Sequence, residues 1–266
     1  MINIKHFNLE ITKKCNQQCF YCFNDSGFTK SKDELSLEEW RNSISEIHNL
    51  GYKSVHITGG EPFLHPNIVE ILSHSIELGL ETTILSNGYK IPRLVEKHPT
   101  LFAKLKLAQI SLDSMDAEIH NSRRGFKGAF KDALDAINAL KRVNVPIEVS
   151  TTVSDQNILD ITDIAKYCNS INASLIIRRL IQSGRAQSIE HSLKFNIQLE
   201  EIKEKLQSHT NVNIVSDKFN YVADDNEIDR FFKEFGTVTV DATGNIKGKY
   251  LKLFSLKSLL SQLKVA

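Results

Sequence analysis

Cysteine is scarce in this chain of 266 residues, with four in all, and so are proline (five), methionine (two) and tryptophan (one). So few cysteines exclude a disulfide-stapled scaffold, and thiols that do cluster point to metal ligation in a reducing compartment. No run approaches the ~20 apolar residues of a membrane span. The opening MINIKHFNLEITKK also lacks the apolar stretch of a secretory signal, so the expected setting is the cytoplasm. An excess of charge is missing too: 33 Lys and Arg against 32 Asp and Glu leave a formal +1, which gives neither nucleic acid nor membrane an electrostatic hold. Low-complexity tracts, linker-like runs and internal repeats are lacking. What is there is 41% hydrophobic residues over a length sufficient for one core of barrel size.

Short β-rich runs alternate with longer segments of helical apolar spacing, the pattern of repeated β-α units around a parallel sheet. The spacing predicts strands at Phe7–Thr12, Ser54–Thr58, Glu81–Ser86, Leu107–Leu112, Ile147–Val153 and Ser174–Arg178. Between them it predicts helices at Ser36–Leu50, Asn67–Leu78, Pro92–Lys97, Gly128–Val143 and Ile158–Ser170. Ser36 with Glu39 three residues on forms a capping box, and Gly51, Gly79 and Pro146 punctuate the units. Beyond Arg178 the rhythm changes. Phe195–Ser208 reads as a helix, Val212–Val215 as a strand, Phe235–Asp241 as a strand entering a hairpin turn at Ala242–Asn245, and Leu251–Leu263 as an amphipathic helix.

Three of the four cysteines fall within eight positions, in TKKCNQQCFYCFND over residues 12–25. Cys15, Cys19 and Cys22 form C-x3-C-x2-C where the first predicted strand gives way to a loop. In a parallel barrel the loops at the carboxyl ends of the strands carry the chemistry. Three thiolates on one short loop can hold three corners of a cubane iron–sulfur cluster, since soft sulfur suits iron, and leave one iron open. A zinc site needs a fourth ligand, and the nearest histidines are His6, across the strand, and His48, deep in the next helix. Cys168 lies among Ile161, Ile164 and Ala165 and reads as a small core residue.

The triplet, with aromatic Tyr21 just before its last cysteine, resembles the signature of the radical S-adenosylmethionine (radical SAM) enzymes. The resemblance implies one [4Fe–4S] cluster on Cys15, Cys19 and Cys22, with S-adenosylmethionine (SAM) chelated at the unique iron. It further implies reductive cleavage of SAM to methionine and a 5′-deoxyadenosyl radical, which abstracts hydrogen from the substrate, and a flavodoxin- or ferredoxin-like electron donor. Gly59-Gly60-Glu61-Pro62, after the second strand, resembles the family's GGEP segment, which meets the methionine ammonium of SAM. Two glycines permit close backbone approach to a ligand and Glu61 offers an acceptor, while a plain glycine-rich turn fits the same residues. Ser86-Asn87-Gly88 is similar to a TNG segment that meets the ribose or methionine of SAM, and suits an Asx-type turn equally well. Ser111-Leu112-Asp113 with His120, Arg123 and Arg124 resembles the SLD…H…R stretch of peptide-modifying members, where the serine contacts the ribose and an arginine, here Arg124, the SAM carboxylate. Asp113 serves the substrate or caps the next segment. Thr151, Thr152 and Arg178 occupy inward or top-face positions as contacts or as filler. The run from Arg178 to Ala186 resembles a glycine-arginine element of the same branch, or is a solvated basic loop.

The expected fold is therefore α/β, a partial (β/α)6 TIM-like radical SAM barrel over residues 1–180 with a C-terminal α+β extension over 181–266. The nearest resemblance is to the SPASM/twitch-type peptide-modifying branch, and Thr237–Tyr250 looks like the hairpin that opens such an extension. Lys247, Gly248 and Lys249 stand where its first cysteine would fall, and no cysteine follows Cys168. Ligand count thus excludes an auxiliary cluster and leaves a degenerate, twitch-like cap. About six residues precede the first strand, too few for the winged-helix module some relatives use to grip a leader peptide. The resemblance implies a peptide or protein side chain as substrate, as in ribosomal peptide maturation, recognised by the barrel, the cap or a separate protein; the amphipathic tail reads first as packing on its own barrel and second as a dock for such a partner. The alternatives are a small metabolite or nucleotide, or a non-catalytic metal-binding scaffold.

Overall fold

The computed structural model describes residues 6–29, 32–189, 201–202, 204–206, 212–215 and 237–245. Strands β1 (His6–Glu10), β2 (Ser54–Thr58), β3 (Glu81–Ser86), β4 (Leu107–Ser111), β5 (Ile147–Val153) and β6 (Ser174–Arg179) are separated by helices. These are α1 (Leu37–Asn49), α2 (Ile68–Glu77), α3 (Ile91–Lys97), α4 (Pro99–Phe102), α5 (Ala117–Arg124), α6 (Ala129–Arg142) and α7 (Ile161–Ser170). Each strand of this run pairs in parallel with the next, as six βα units require, and the sheet curls into a partial barrel.

Two further strands join the same sheet. β7 (Val212–Val215) pairs in parallel with β6, and β8 (Thr237–Val240) pairs in parallel with β1, giving the order β7-β6-β5-β4-β3-β2-β1-β8. The sheet thus has eight strands: β7 has the bounds the sequence predicts and β8 lies within the predicted Phe235–Asp241, and both join the barrel sheet itself, which the βα rhythm alone limits to six strands. The turn at the end of β8 is present, with Gly244 N donating to Asp241 O at 2.9 Å. Among the described residues β8 pairs in parallel with β1, and the second strand of the expected hairpin falls outside the described residues. Of the helix expected at Phe195–Ser208, residues 201–202 and 204–206 are helical, with Ile202 and Leu206 buried in the core. The expected helix at Leu251–Leu263 and the Lys247–Lys249 run lie outside the described residues.

Alternation along the strands separates two faces. Phe7, Leu9, Val55, Ile57, Ile84 and Ile110 turn toward the helices and pack with Trp40, Ile44, Phe102 and Ile137 in one core. Each large apolar side chain buried this way contributes about 1.5–3 kcal/mol. The other face lines the inside of the curl and is polar. His56 Nδ1 meets Thr83 Oγ1 at 2.6 Å, Asn8 donates to Thr239 at 3.4 Å, and Arg178 donates to Ser150 and Gln109, each at 3.2 Å. Burial and the Arg178 charge hold His56 down at about 3, so it serves this layer as a neutral ring.

Local signals explain the helices that position the site. The capping box of α1 is formed: Glu39 N donates to Ser36 Oγ at 3.3 Å and Ser36 N donates to Glu39 Oε2 at 2.8 Å. Asp116 caps α5 by accepting from Glu118 N and Ile119 N at 2.8 and 3.0 Å. The buried face of α5 is His120, Arg123 and Arg124, so it shows no apolar stripe and was not among the helices the spacing predicts. Cys168 sits on α7 with 1% exposure, in the core as expected. No helix among the described residues is long and apolar enough to cross a membrane.

Candidate functional site

Because β1 to β6 run in parallel, their carboxyl ends lie along one rim, and the cysteine loop follows the first of them. Its base is pinned by a bridge between Lys14 and Gly27, with Cys15 N donating to Gly27 O at 2.6 Å. Cys22 N donates to Cys19 O at 3.2 Å and Asp25 N to Cys22 O at 3.3 Å, which turns the loop back on itself. Cys15 and Cys19 are buried, Cys22 is half-buried, and all three are free thiols.

Three distant segments grip this loop by its backbone. After β2, Gly60 N donates to Thr12 O at 2.6 Å and Glu61 N to Lys14 O at 2.8 Å. A Cβ on Gly60 would stand 2.5 Å from Lys14 O, so the glycine is required by loop packing, a role distinct from approach to a ligand. After α5, the carbonyl of Arg124 accepts from Gln18 N at 3.0 Å. After β6, Arg185 N donates to Cys22 O at 3.0 Å, and its side chain reaches Cys19 O at 2.8 Å and Asp25 Oδ1 at 2.9 Å. Gly184, at φ +56°, lies where a Cβ would be 2.5 Å from Cys22 O. The 178–186 run is thus a wall of the loop and not a solvated basic segment.

The strand-end residues of β2 and β3 are tied together. Glu61 is fully buried; Oε1 accepts from Phe63 N at 3.1 Å and Ser86 Oγ at 2.8 Å, and Oε2 from Asn87 N at 2.8 Å. Burial pushes its carboxyl up to about 7 despite these bonds. Pro62 starts the short turn Pro62–Leu64 that Glu61 caps. Asn87 makes the Asx-type turn, accepting from Tyr89 N at 3.0 Å, and also turns Nδ2 to Asn16 Oδ1 at 2.9 Å and Cys15 Sγ at 3.8 Å. Ser111 ends β4 half-buried, in register with Ser150.

Asp113 is the residue the sequence left undecided, and it is the hub. Fully buried, it accepts from Tyr21 Oη, from Thr152 N at 3.1 Å and from Arg124 Nη2 at 3.1 Å, with Arg124 Nε at 3.0 Å and Arg123 Nε at 3.7 Å from Oδ2. Burial raises its carboxyl, but the two guanidiniums outweigh burial and hold it below the usual range. The Tyr21 ring faces the guanidiniums of Arg123 and Arg124, 5.0 and 5.5 Å from its centroid. Arg124 also points Nη1 at Cys19 Sγ, 3.9 Å away. His120 Nδ1 accepts from Asp113 N at 3.0 Å, which fixes its tautomer, and burial together with Arg124 brings the ring down to about 4. Thr151 faces the helix layer instead of the interior, its hydroxyl bonded to Leu112 O.

The electrostatics of the thiols call for a positive partner. Burial pushes Cys15 up to about 12 and raises Cys19 as well, the latter against the pull of Arg124. Gln17 Nε2 and Asn16 Nδ2, on the same loop, are buried donors without acceptors. Among the described residues no three Cys, His, Asp or Glu side chains converge closely enough to hold a single metal ion. A zinc site takes four ligands on one ion, whereas a cubane takes each cysteine on a separate corner and needs only the three thiols of this loop.

Comparison with known proteins agrees with this geometry. The family model described as Radical SAM superfamily matches residues 9–168. An AdoMet-dependent heme synthase of Methanosarcina barkeri is 31% identical over 178 residues, 66% of this chain and 50% of the relative. The antilisterial bacteriocin subtilosin biosynthesis protein AlbA of Bacillus subtilis is 28% identical over 190 residues, 71% of this chain and 42% of the relative. The chain spans about half the length of the curated relatives it matches. Among solved structures, SuiB of Streptococcus suis bound to precursor peptide SuiA superposes with a TM-score of 0.76 at 16% identity, over 99% of this chain and 65% of that one. SuiB bound to S-adenosylmethionine gives 0.74 at 16% identity, over 92% and 60%. By its family match, and with the cysteine loop at the carboxyl rim of a parallel partial barrel, the chain belongs to the radical SAM superfamily.

Proposed function

We propose that the chain cleaves S-adenosylmethionine reductively and abstracts a hydrogen atom from a peptide or protein side chain. The observation that carries this is the free-thiol triplet Cys15, Cys19 and Cys22, gripped from three sides at the strand-end rim. The donor set fits a [4Fe–4S] cluster: three soft ligands, with unpaired N–H donors at Gln17 and Asn16 to meet sulfur, and no closed four-ligand shell among the described residues. When bound, that cluster supplies the electron that splits a carbon–sulfur bond of SAM. The chain's own residues orient and shield. Gly59, Gly60, Glu61 and Pro62 hold the loop base and offer strand-end carbonyls to an ammonium; Ser86, Asn87 and Ser111 present polar groups at adjacent strand ends. Tyr21 and Arg124 form the wall on the α5 side, beside Cys19.

A peptide substrate is supported by relatives whose names concern bacteriocin biosynthesis and a precursor peptide. A second reading, a small metabolite, is favoured by the 31% identity to a heme synthase. In both, residues 181–266 are proposed to cap the barrel and a flavodoxin- or ferredoxin-like protein delivers the electron; in the first, the peptide is held by the barrel, the cap or a separate recognition protein. Anaerobic reconstitution with iron, sulfide, SAM and dithionite is expected to yield one cubane per chain together with methionine and 5′-deoxyadenosine. The variant with Cys15, Cys19 and Cys22 all changed to alanine yields neither. A wild-type protein that binds zinc and no iron, or leaves SAM intact, refutes the reading and favours a metal-binding scaffold. Candidate peptides and tetrapyrroles are then separated by which of them changes mass.

A further inference from the structure

We propose that Asn87 and Arg124 set the reduction potential of the cluster by donating N–H bonds to its cysteine sulfurs, Asn87 to Cys15 and Arg124 to Cys19. The proposal rests on the reading that these cysteines carry a cluster. Its basis is aim: each donor is oriented by partners other than the sulfur. Asn87 Nδ2 lies 3.8 Å from Cys15 Sγ, while its oxygen accepts from Tyr89 N at 3.0 Å and its nitrogen also meets Asn16 Oδ1 at 2.9 Å. Arg124 donates Nη2 to Asp113 Oδ1 at 3.1 Å and holds Nε 3.0 Å from Oδ2 as an ion pair, which orients Nη1 as the arm on Cys19 Sγ at 3.9 Å.

Both side chains are buried, so solvent does not compete for these N–H groups. The backbone adds a third donor, Gln17 N to Cys15 Sγ at 3.4 Å. The Gln17 carboxamide completes the set: its oxygen faces the Cys19 thiol at 4.0 Å while its Nε2 lacks a partner. Once that thiol is a thiolate, a half-turn of the amide places Nε2–H on the sulfur and removes the orphan. Cys22, half-buried at the rim, receives no comparable side-chain donor among the described residues. Two corners of the cluster are thus polarised by the protein and the third is not. Reduction adds negative charge to the cluster, and N–H dipoles and a guanidinium stabilise the reduced form more than the oxidised one, which raises the potential. Asp113 offsets only one of its two flanking guanidiniums, and of the two only Arg124 reaches a cysteine sulfur, so the short-range influence falls on Cys19.

The test is an EPR-monitored potentiometric titration of the anaerobically reconstituted full chain, without SAM, for wild type, Asn87→Ala and Arg124→Lys. Iron and sulfide analysis and thermal melting are run on each. Arg124→Lys keeps a cation for Asp113 but removes the arm on Cys19. Its reduction equilibrium is expected to move at least tenfold toward the oxidised cluster, about 59 mV for one electron. Asn87→Ala is expected to move the same way by a smaller factor, with iron content unchanged. A merely structural role would alter melting or iron retention and leave the potential in place. Variants that retain wild-type iron and titrate within twofold of wild type overturn the proposal. Asn87→Ala, which disturbs no ion pair, decides alone where Arg124→Lys does not hold iron. A wild-type protein without iron refutes the proposed function itself, and is recognised from the metal analysis before any titration.

Discussion

A carboxylate shut away from water keeps its charge only where opposite charge surrounds it, and Asp113 is ionised because Arg123 and Arg124 flank it and Tyr21 donates to it. Asp113→Asn would leave two buried guanidiniums without a counter-charge. Breaking a buried pair this way costs about 3–5 kcal/mol, measurable as a lower denaturant midpoint with an unchanged slope. A variant within 1 kcal/mol of wild type would show that Tyr21 and the arginines are held by other means. His120 gives the pH signature. Its ring sits at about 4 against an ordinary 6.5, held down by burial first and then by Arg124. The unfolded chain therefore binds a proton more readily than the folded one between those values. Stability contributed by the neutral ring is fully present above pH 6.5 and is lost as pH falls toward 4. That amounts to about 3 kcal/mol, since each pKa unit is about 1.4 kcal/mol. Denaturant melts of wild type and His120→Gln at pH 7 and pH 5 are expected to converge on acidification, and parallel losses would assign the acid sensitivity elsewhere.

At the level of elements, the cysteine loop depends on what packs behind it. Gly184→Ala places a methyl group 2.5 Å from Cys22 O in a left-handed backbone region. The backbone strain alone is about 1–2 kcal/mol. Relief by shifting the Cys19–Asp25 turn is expected to speed iron loss to a chelator several-fold while the global melting curve moves little. An unchanged release rate would mean that the 184–185 segment follows the loop rather than holding it. Much of this scaffold is legible in the sequence. β2, β3 and β5 have the bounds expected from alternation and Gly/Pro punctuation, and the capping box of α1 forms as its spacing requires. α5 escapes because its buried face is ionic. The loop and its thiols are equally legible, being local in sequence. The anchors are not: Arg185 reaches Cys19 across 166 residues and Tyr21 meets Asp113 across 92. Such pairings come from the closure of the sheet, and no periodicity or spacing within one chain encodes them.

Across the whole molecule, both edges of the six βα units are covered by strands from beyond residue 180. Bare edges would present unpaired backbone donors and acceptors and invite pairing between chains. A protein ending at residue 189 lacks β7 and β8, and is expected to elute as aggregate in size-exclusion chromatography. A monodisperse, cooperatively melting fragment would instead establish residues 1–189 as a self-sufficient unit. The grip of Arg185 on the cysteine loop also bears on the order of events in the cell. A ribosome releases residues 12–25 early, yet Gly184 and Arg185 emerge some 160 positions later and take their places only after β6 has joined the sheet. Under the proposed function, a cluster inserted before residue 185 has emerged would meet a loop with one wall still unmade.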